Sequence, residues 1–214
     1  MTFAAFDFSS LGLYHERLCL DFANSIGQHD DLSADYLRTY ADLLAWSLDV
    51  GLLTPEKADH LYAQAQARPA QAAAVLAGAI TLREAIYAML SDVAHEQPPH
   101  AAALAVLNAA LTEAMAHMQL AVDEAQARWE WLYQPDDLSQ MLGPVAWSVV
   151  EVLQSDDRRT LRECEGSNCN WLFLDTSRNH SRRWCSMQSC GNRAKAKRHY
   201  HRGRAASKQR PDAG

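Results

Sequence analysis

Residues 164–190 read CEGSNCNWLFLDTSRNHSRRWCSMQSC and hold four of the chain's five cysteines. They fall as two pairs, Cys164/Cys169 and Cys185/Cys190, each with four residues between its members. A structural zinc site takes four thiolate or imidazole ligands in a tetrahedron. Two short-spaced pairs supply that set, because each sits on one tight turn and the intervening chain brings the turns together. Gly166 and Asn168 permit a knuckle within the first pair. "WLFLD" (171–175) predicts a strand, "TSRNHS" (176–181) a turn and "RRWCS" (182–186) a return strand. The second pair opens onto a basic, helix-compatible run, 190–204. Knuckle, hairpin and helix make a treble-clef or zinc-ribbon-like plan. The competing readings are four buried free thiols or a redox pair, but a redox motif favours C-x-x-C, which the sequence lacks. Four protein thiolates leave no coordination position open, so one structural Zn2+ per chain is expected. Cys19, inside the apolar "LCLDFA", is assigned to the core.

Charge divides the chain. The formal net charge of the 214 residues is −6, yet residues 158–214 carry fourteen basic against four acidic residues, near +10. Residues 1–157 carry six against twenty-two, near −16. A basic appendage on an acidic body points to a polyanionic partner. The alternative is that the basic part docks on the body of its own chain. With 48% hydrophobic residues the body can bury a real core. No uninterrupted apolar run approaches a membrane span, and the N-terminus lacks a basic n-region, so no membrane association and a cytoplasmic location are expected.

The body reads as mostly α with one small β-hairpin. Ser33 is expected to cap a helix through Val50, with Gly51 as the terminating glycine. Thr54 caps and Pro55 opens the next helix, and Pro69 starts a long one over about 70–95, with Val75, Ala79, Leu82, Ile86 and Leu90 on one face. After "QPPH" (97–100) an alanine-rich helix runs to about Ala116. The period then changes to two over 117–133, predicting the hairpin. A last helix covers about 138–154, kinked or restarted at Gly143-Pro144, and "SDDRR" (155–159) is the hinge into the basic part. The division is 1–157 helical body, 158–204 finger and 205–214 basic disordered tail.

The string "CNWLFLDTSRNHSRRWCSMQSCGNRAKAKRH" resembles the CGNR zinc finger, whose tetrad here is Cys190-Gly191-Asn192-Arg193. Upstream, "RLCLDFANSIG", "YADLLAWSLDVGLL" and "LGPVAWSVVEVLQSDDRRTLREC" are similar to the ABATE-type helical domain that precedes this finger. The resemblance implies a bacterial, stress-induced transcription regulator, with RNA binding also suggested. The residues themselves favour DNA over RNA, with an RNA-binding or ribosome-associated protein and a protein-interaction module as the alternatives.

Two basic groups are the candidate nucleic-acid contacts: Arg178, Arg182 and Arg183 around the predicted turn, and Arg193, Lys195, Lys197, Arg198, Arg202 and Arg204 along the terminal helix. Guanidinium forks suit phosphate and guanine, and a rigid clef would hold them in place. Trp171 and Trp184 are assigned to packing in preference to base stacking. Asp21, Asn24 and Trp46, with His15 and Arg17, are candidate walls of a small-molecule effector pocket, against the plainer reading that Asp21 and Asn24 cap or bridge elements. The body is also a candidate homodimer surface. "RNHS" superficially suggests a nuclease clef, but Asp175 and His180 alone do not make a hard-metal site, so no enzymatic activity is expected.

Overall fold

The computed structural model describes residues 3–11, 17–29, 31–123 and 126–208, the side chains of 32 and 201–208 excepted. Among the described residues, eight α-helices and two small antiparallel sheets follow one another: α1 (Leu18–Ala23), α2 (Tyr40–Asp49), α3 (Pro55–Ala67), α4 (Pro69–Ala94), α5 (Ala101–Met115), β1 (Met118–Val122), β2 (Ala127–Trp131), α6 (Leu142–Gln154), the single turn α7 (Asp157–Thr160), β3 (Leu161–Glu163), β4 (Leu172–Leu174) and α8 (Asn192–Lys208). The fold is mostly α with two small sheets, as the sequence implies.

Local signals set most boundaries. Thr54 accepts from the Lys57 N–H and Pro55 occupies the first position of α3. Gly51 takes φ +74° just past α2, where a side chain would be strained. The expected helix from Ser33 is not formed. Ser33 lies in a short 3₁₀ turn, and α2 is capped instead by Thr39, whose hydroxyl accepts from the Asp42 N–H while Asp42 accepts from the Thr39 N–H. A tertiary contact overrides the local pattern: Asp35 pairs with Ile26 in a β-bridge and takes both Nη atoms of Arg83 at 2.7 Å. Of the expected kink or restart at Gly143-Pro144 the chain shows the restart: α6 begins at Leu142, and Pro144 falls in its first turn, where no intrahelical N–H is lost.

α4 is the central helix, packed against α1, α2, α3, α5 and α6. By length and composition alone this 26-residue helix could cross a membrane, which an unbroken-run criterion misses. In this fold Leu82, Ile86, Met89 and Leu90 face the core, and Arg83, fully buried, is neutralised by Asp35 and Glu84. Trp46 stacks obliquely on Phe22, and Leu43, Leu44, Leu61, Val145 and Val149 complete the interior. The expected hairpin forms as β1 and β2, with Leu120 opposite Trp129. Its apolar face runs outward: Leu120, Val122 and Trp129 are more than half exposed.

Residues 155–163 are not a loose hinge. Asp157 bonds Arg17 at 2.6 Å, β3 packs on α4, and Leu161, Leu172 and Leu174 belong to the same core as the body's helices. Asn24 donates to the Leu172 C=O at 2.8 Å and accepts from its N–H at 2.9 Å, completing the free edge of β4 as another strand would. Trp171 donates its indole N–H to the Ile26 C=O at 2.7 Å, and Glu163 accepts from Ser91 and Tyr87. Removing Asn24 would leave two buried backbone groups unpaired. Asn24→Ala should therefore cost about 2–4 kcal/mol of stability, read from urea unfolding, with one zinc per folded chain retained. Unfolding like the parent would show that water replaces the clasp.

Candidate metal centre and basic surface

The four cysteines of 164–190 meet at one point. All four Sγ atoms lie within 4.8 Å of one another and every one is buried. Cys169 and Cys185 are 3.6 Å apart and Cys185 and Cys190 3.7 Å. Ligands at about 2.3 Å from a tetrahedral zinc are about 3.8 Å from each other, so the separations suit that ion. With no cation between them, sulfurs this close share protons and do not all ionise. Hydrogen bonds from the Cys169 and Cys185 thiols hold Cys164 down at about 2, as the cluster's thiolate. Donating to it raises Cys169 to about 12 and pushes Cys185 up as well. Four ionised sulfurs at this spacing require a cation among them. By contrast, burial raises the Cys19 thiol to about 12, in keeping with an inert core residue.

The knuckle follows from its residues. Gly166 donates its N–H toward Cys164 Sγ, and a Cβ there would meet Cys190 Sγ at 2.9 Å, so only glycine fits without displacement. Asn168 and Asn170 hold φ of +64° and +83°, a region asparagine tolerates better than most residues. Cys185 donates its N–H to Cys164 Sγ, tying the two pairs together. Cys190 lies within a π-turn, Met187–Gly191, that Ser186 caps and α8 continues.

The strand pairing within this unit differs from the expectation. β4 pairs with β3, Leu172 opposite Glu163 and Leu174 opposite Leu161, and residues 182–186 are irregular. The cause is Asp175. It accepts from the Ser177 N–H and hydroxyl and from the Arg182 N–H, pinning the turn away from a straight return. Burial alone would raise its pKa, but these bonds bring it below the ordinary carboxylate value. The anchor thus persists at neutral pH and is lost only as the pH falls through the carboxylate range. His180 bonds the Asp175 C=O, so both residues of the superficial nuclease pattern serve the turn.

The candidate basic residues divide by environment. Arg182 turns inward, donating to the Trp184, Cys185 and Leu174 carbonyls and lying 4.6 Å over the Phe173 ring. It braces the second cysteine pair. Arg193 donates to Cys190 Sγ at 2.9 Å, so it sits against the metal centre itself. Arg183 pairs with Glu165 and lies over Trp184. Arg178, Lys195, Lys197 and Arg198 are exposed. Arg202 and Arg204 lie on α8, which continues to Lys208, so 205–208 are helical and not tail; 209–214 lie outside the described residues. Arg183, Lys197, Arg198, Trp184 and Glu165 line one shallow cleft of about 330 Å³.

The described side chains of the expected effector pocket are buried or engaged in the fold. Asp21, Asn24 and Trp46 are 3%, 2% and 0% exposed, and Asn24 is the clasp on β4. Arg17 binds Asp157, and His15 lies outside the described residues. What the sequence reading missed are the acids: Glu163 and Glu165, one residue either side of Cys164, bind the body and Arg183 respectively.

Comparison with protein families adds to this geometry. Residues 160–203 match the CGNR zinc finger, and residues 16–156 match ABATE, a family described as "Putative stress-induced transcription regulator". The chain belongs to the ABATE family. A comparison with curated proteins finds no match. In this ABATE chain the four finger cysteines fit one structural zinc ion. Metal analysis after a chelator wash should give one zinc per chain, and Cys164→Ser, Cys169→Ser, Cys185→Ser and Cys190→Ser should each lose it. Gly166→Ala should weaken retention by pressing on Cys190. Because β3 and β4 share the body's core, strong chelation should lower the melting temperature of the whole ABATE chain and not of the finger alone. Full zinc content in any cysteine variant would count against the ligand set.

Proposed function

We propose that the chain is a transcription regulator whose finger binds duplex nucleic acid, DNA in preference to RNA. The observation that carries this reading is the convergence of Arg183, Lys197 and Arg198 on one cleft beside the metal centre. The cysteines supply the rigidity: Cys185 directly follows Arg183 and Trp184 on one side of the cleft, and Cys190 lies in the turn that leads into α8, so metal binding fixes Arg183 relative to Lys197 and Arg198. α8 carries seven basic residues and no acid over 192–208, and its described side chains are almost all exposed. Arg178, Lys195 and Arg202 extend the same charge, while Arg182 and Arg193 act by holding the scaffold. Trp171 and Trp184 are half-buried in contacts of the fold. The finger thus offers few free ring faces for unstacked bases, which favours a duplex over a single strand. The acidic body opposes non-specific association with phosphate.

Affinity for duplex DNA should fall steeply with salt: five to seven phosphate contacts give a log–log slope of about −4 to −6. Lys197→Ala with Arg198→Ala should weaken binding and reduce the slope by about 2 while zinc stays bound. Arg183→Ala should act in the same direction. No binding at low salt, or a double variant that binds like the parent, would sink the reading and favour docking of α8 on an acidic surface. Tighter binding of structured RNA than of duplex DNA would reverse the preference.

A further inference from the structure

A second basic site lies at the junction of the body and the finger. The end of α4 and the loop after it, residues 93–99, face α7 and β3 across a cleft of about 540 Å³. Three guanidinium groups line it: Arg158, Arg159 and Arg162. Arg162 is fixed by donating to the Arg159 and Leu161 carbonyls, at 3.0 and 2.7 Å. Arg158 and Arg159 are exposed, and among the described residues neither side chain has a hydrogen-bond or ion-pair partner. The body holds twenty-two carboxylates, so arginines gathered here without neutralisation make a local positive field inside an acidic surface.

The lining selects the ligand. Glu96 is the one acid on it, so the charge on the lining is near +2. A phosphate monoester carries about −1.5 to −2 at neutral pH, and guanidinium forks bind its oxygens in pairs. The opposite wall is apolar, built from Val93, Ala94, Pro98 and Pro99, and can cover a sugar or base. The volume is in the range that holds a small organic ligand. A duplex presents its phosphates on a convex surface, which suits the open cleft beside the zinc centre better than this walled one. None of the residues lining that other cleft lines this one.

We infer that the cleft binds a small phosphate ester of nucleotide size, with Arg158 and Arg159 on the phosphoryl group, Arg162 holding their loop, and the Val93–Pro99 wall against the rest of the molecule. An occupant joins the end of α4 to the residues that lead into β3. It therefore links the body to the first strand of the finger, and it stabilises the folded chain by mass action.

The test uses the full zinc-loaded chain, with ADP and inorganic pyrophosphate as probes in titration calorimetry and thermal unfolding. ADP is expected to bind saturably with a Kd below about 1 mM and to raise the melting temperature. Arg158→Ala with Arg159→Ala, both at exposed positions outside the core, should weaken ADP at least about tenfold, as expected for lost charge-assisted bonds. Glu96→Gln should tighten it, a gain that misfolding cannot mimic. Duplex DNA affinity should change by less than about twofold in the double variant, since these side chains lie outside the zinc-side cleft. Pyrophosphate binding as tightly as ADP would overturn the role of the apolar wall. Absence of saturable binding by both probes, or a double variant that binds ADP like the parent, would overturn the site. So would DNA and ADP affinities falling together, which would make the cleft part of the nucleic-acid surface.

Discussion

Four sulfurs held within 4.8 Å of one another cannot all ionise without a cation among them, and much of the finger exists to hold them there. The constraint reaches outward one residue at a time. Gly166 must be small because Cys190 passes against it, and Asn168 and Asn170 take left-handed backbone so that the first pair can share one turn. Arg182 gathers the carbonyls of Leu174, Trp184 and Cys185, which ties the second pair to the end of β4. Each of these contacts would be costly or pointless if the sulfurs were apart.

A second point of convergence lies in the body, at residues 24–26. Asn24 is bound by β4, the Ser25 carbonyl lies 3.4 Å from Arg83, and the Ile26 carbonyl accepts from Trp171. Three consecutive residues are thus gripped from opposite sides, by a buried arginine of α4 and by the finger. A buried ion pair such as Arg83–Asp35 is weak evidence for stability, since desolvation offsets much of the attraction. Its evident effect is positional: it sets the chain from Ser25 to Asp35, and that chain is the shelf on which the finger rests.

Much of this was legible in the sequence, and the misses share a cause. The thiol pairs, the caps at Thr54 and Pro55, the glycine at 51 and the alternating hairpin are local signals, read within a few residues of where they act. The finger's strand pairing was not, because β4 chooses its partner across ten residues and Asp175 bends the segment that a local reading would return. Arg182 looked like its neighbours Arg178 and Arg183, and nothing in the string RNHSRRW says which of them faces inward. Asn24 stands as a polar residue in an apolar run, but its partner is 148 residues away, so the sequence does not distinguish a pocket from a clasp. The arginines of 158–162 were counted in the charge of the appendage, and the loop that faces them is sixty residues upstream.

The sharing of one hydrophobic core between body and finger has a consequence for how such a chain can be rearranged. Leu161, Leu172 and Leu174 stand among side chains of the helices, and the backbone of Leu172 finds its partners on Asn24. A copy of 160–203 spliced onto a different protein would carry an unpaired strand edge, a tryptophan without its acceptor and three leucines facing water. The cut that a sequence suggests at the composition boundary falls on the exposed turn α7, yet it separates β3 and β4 from the helices that share their core. Recombination that keeps the two parts together preserves the seam, whereas recombination that separates them must rebuild it on both sides.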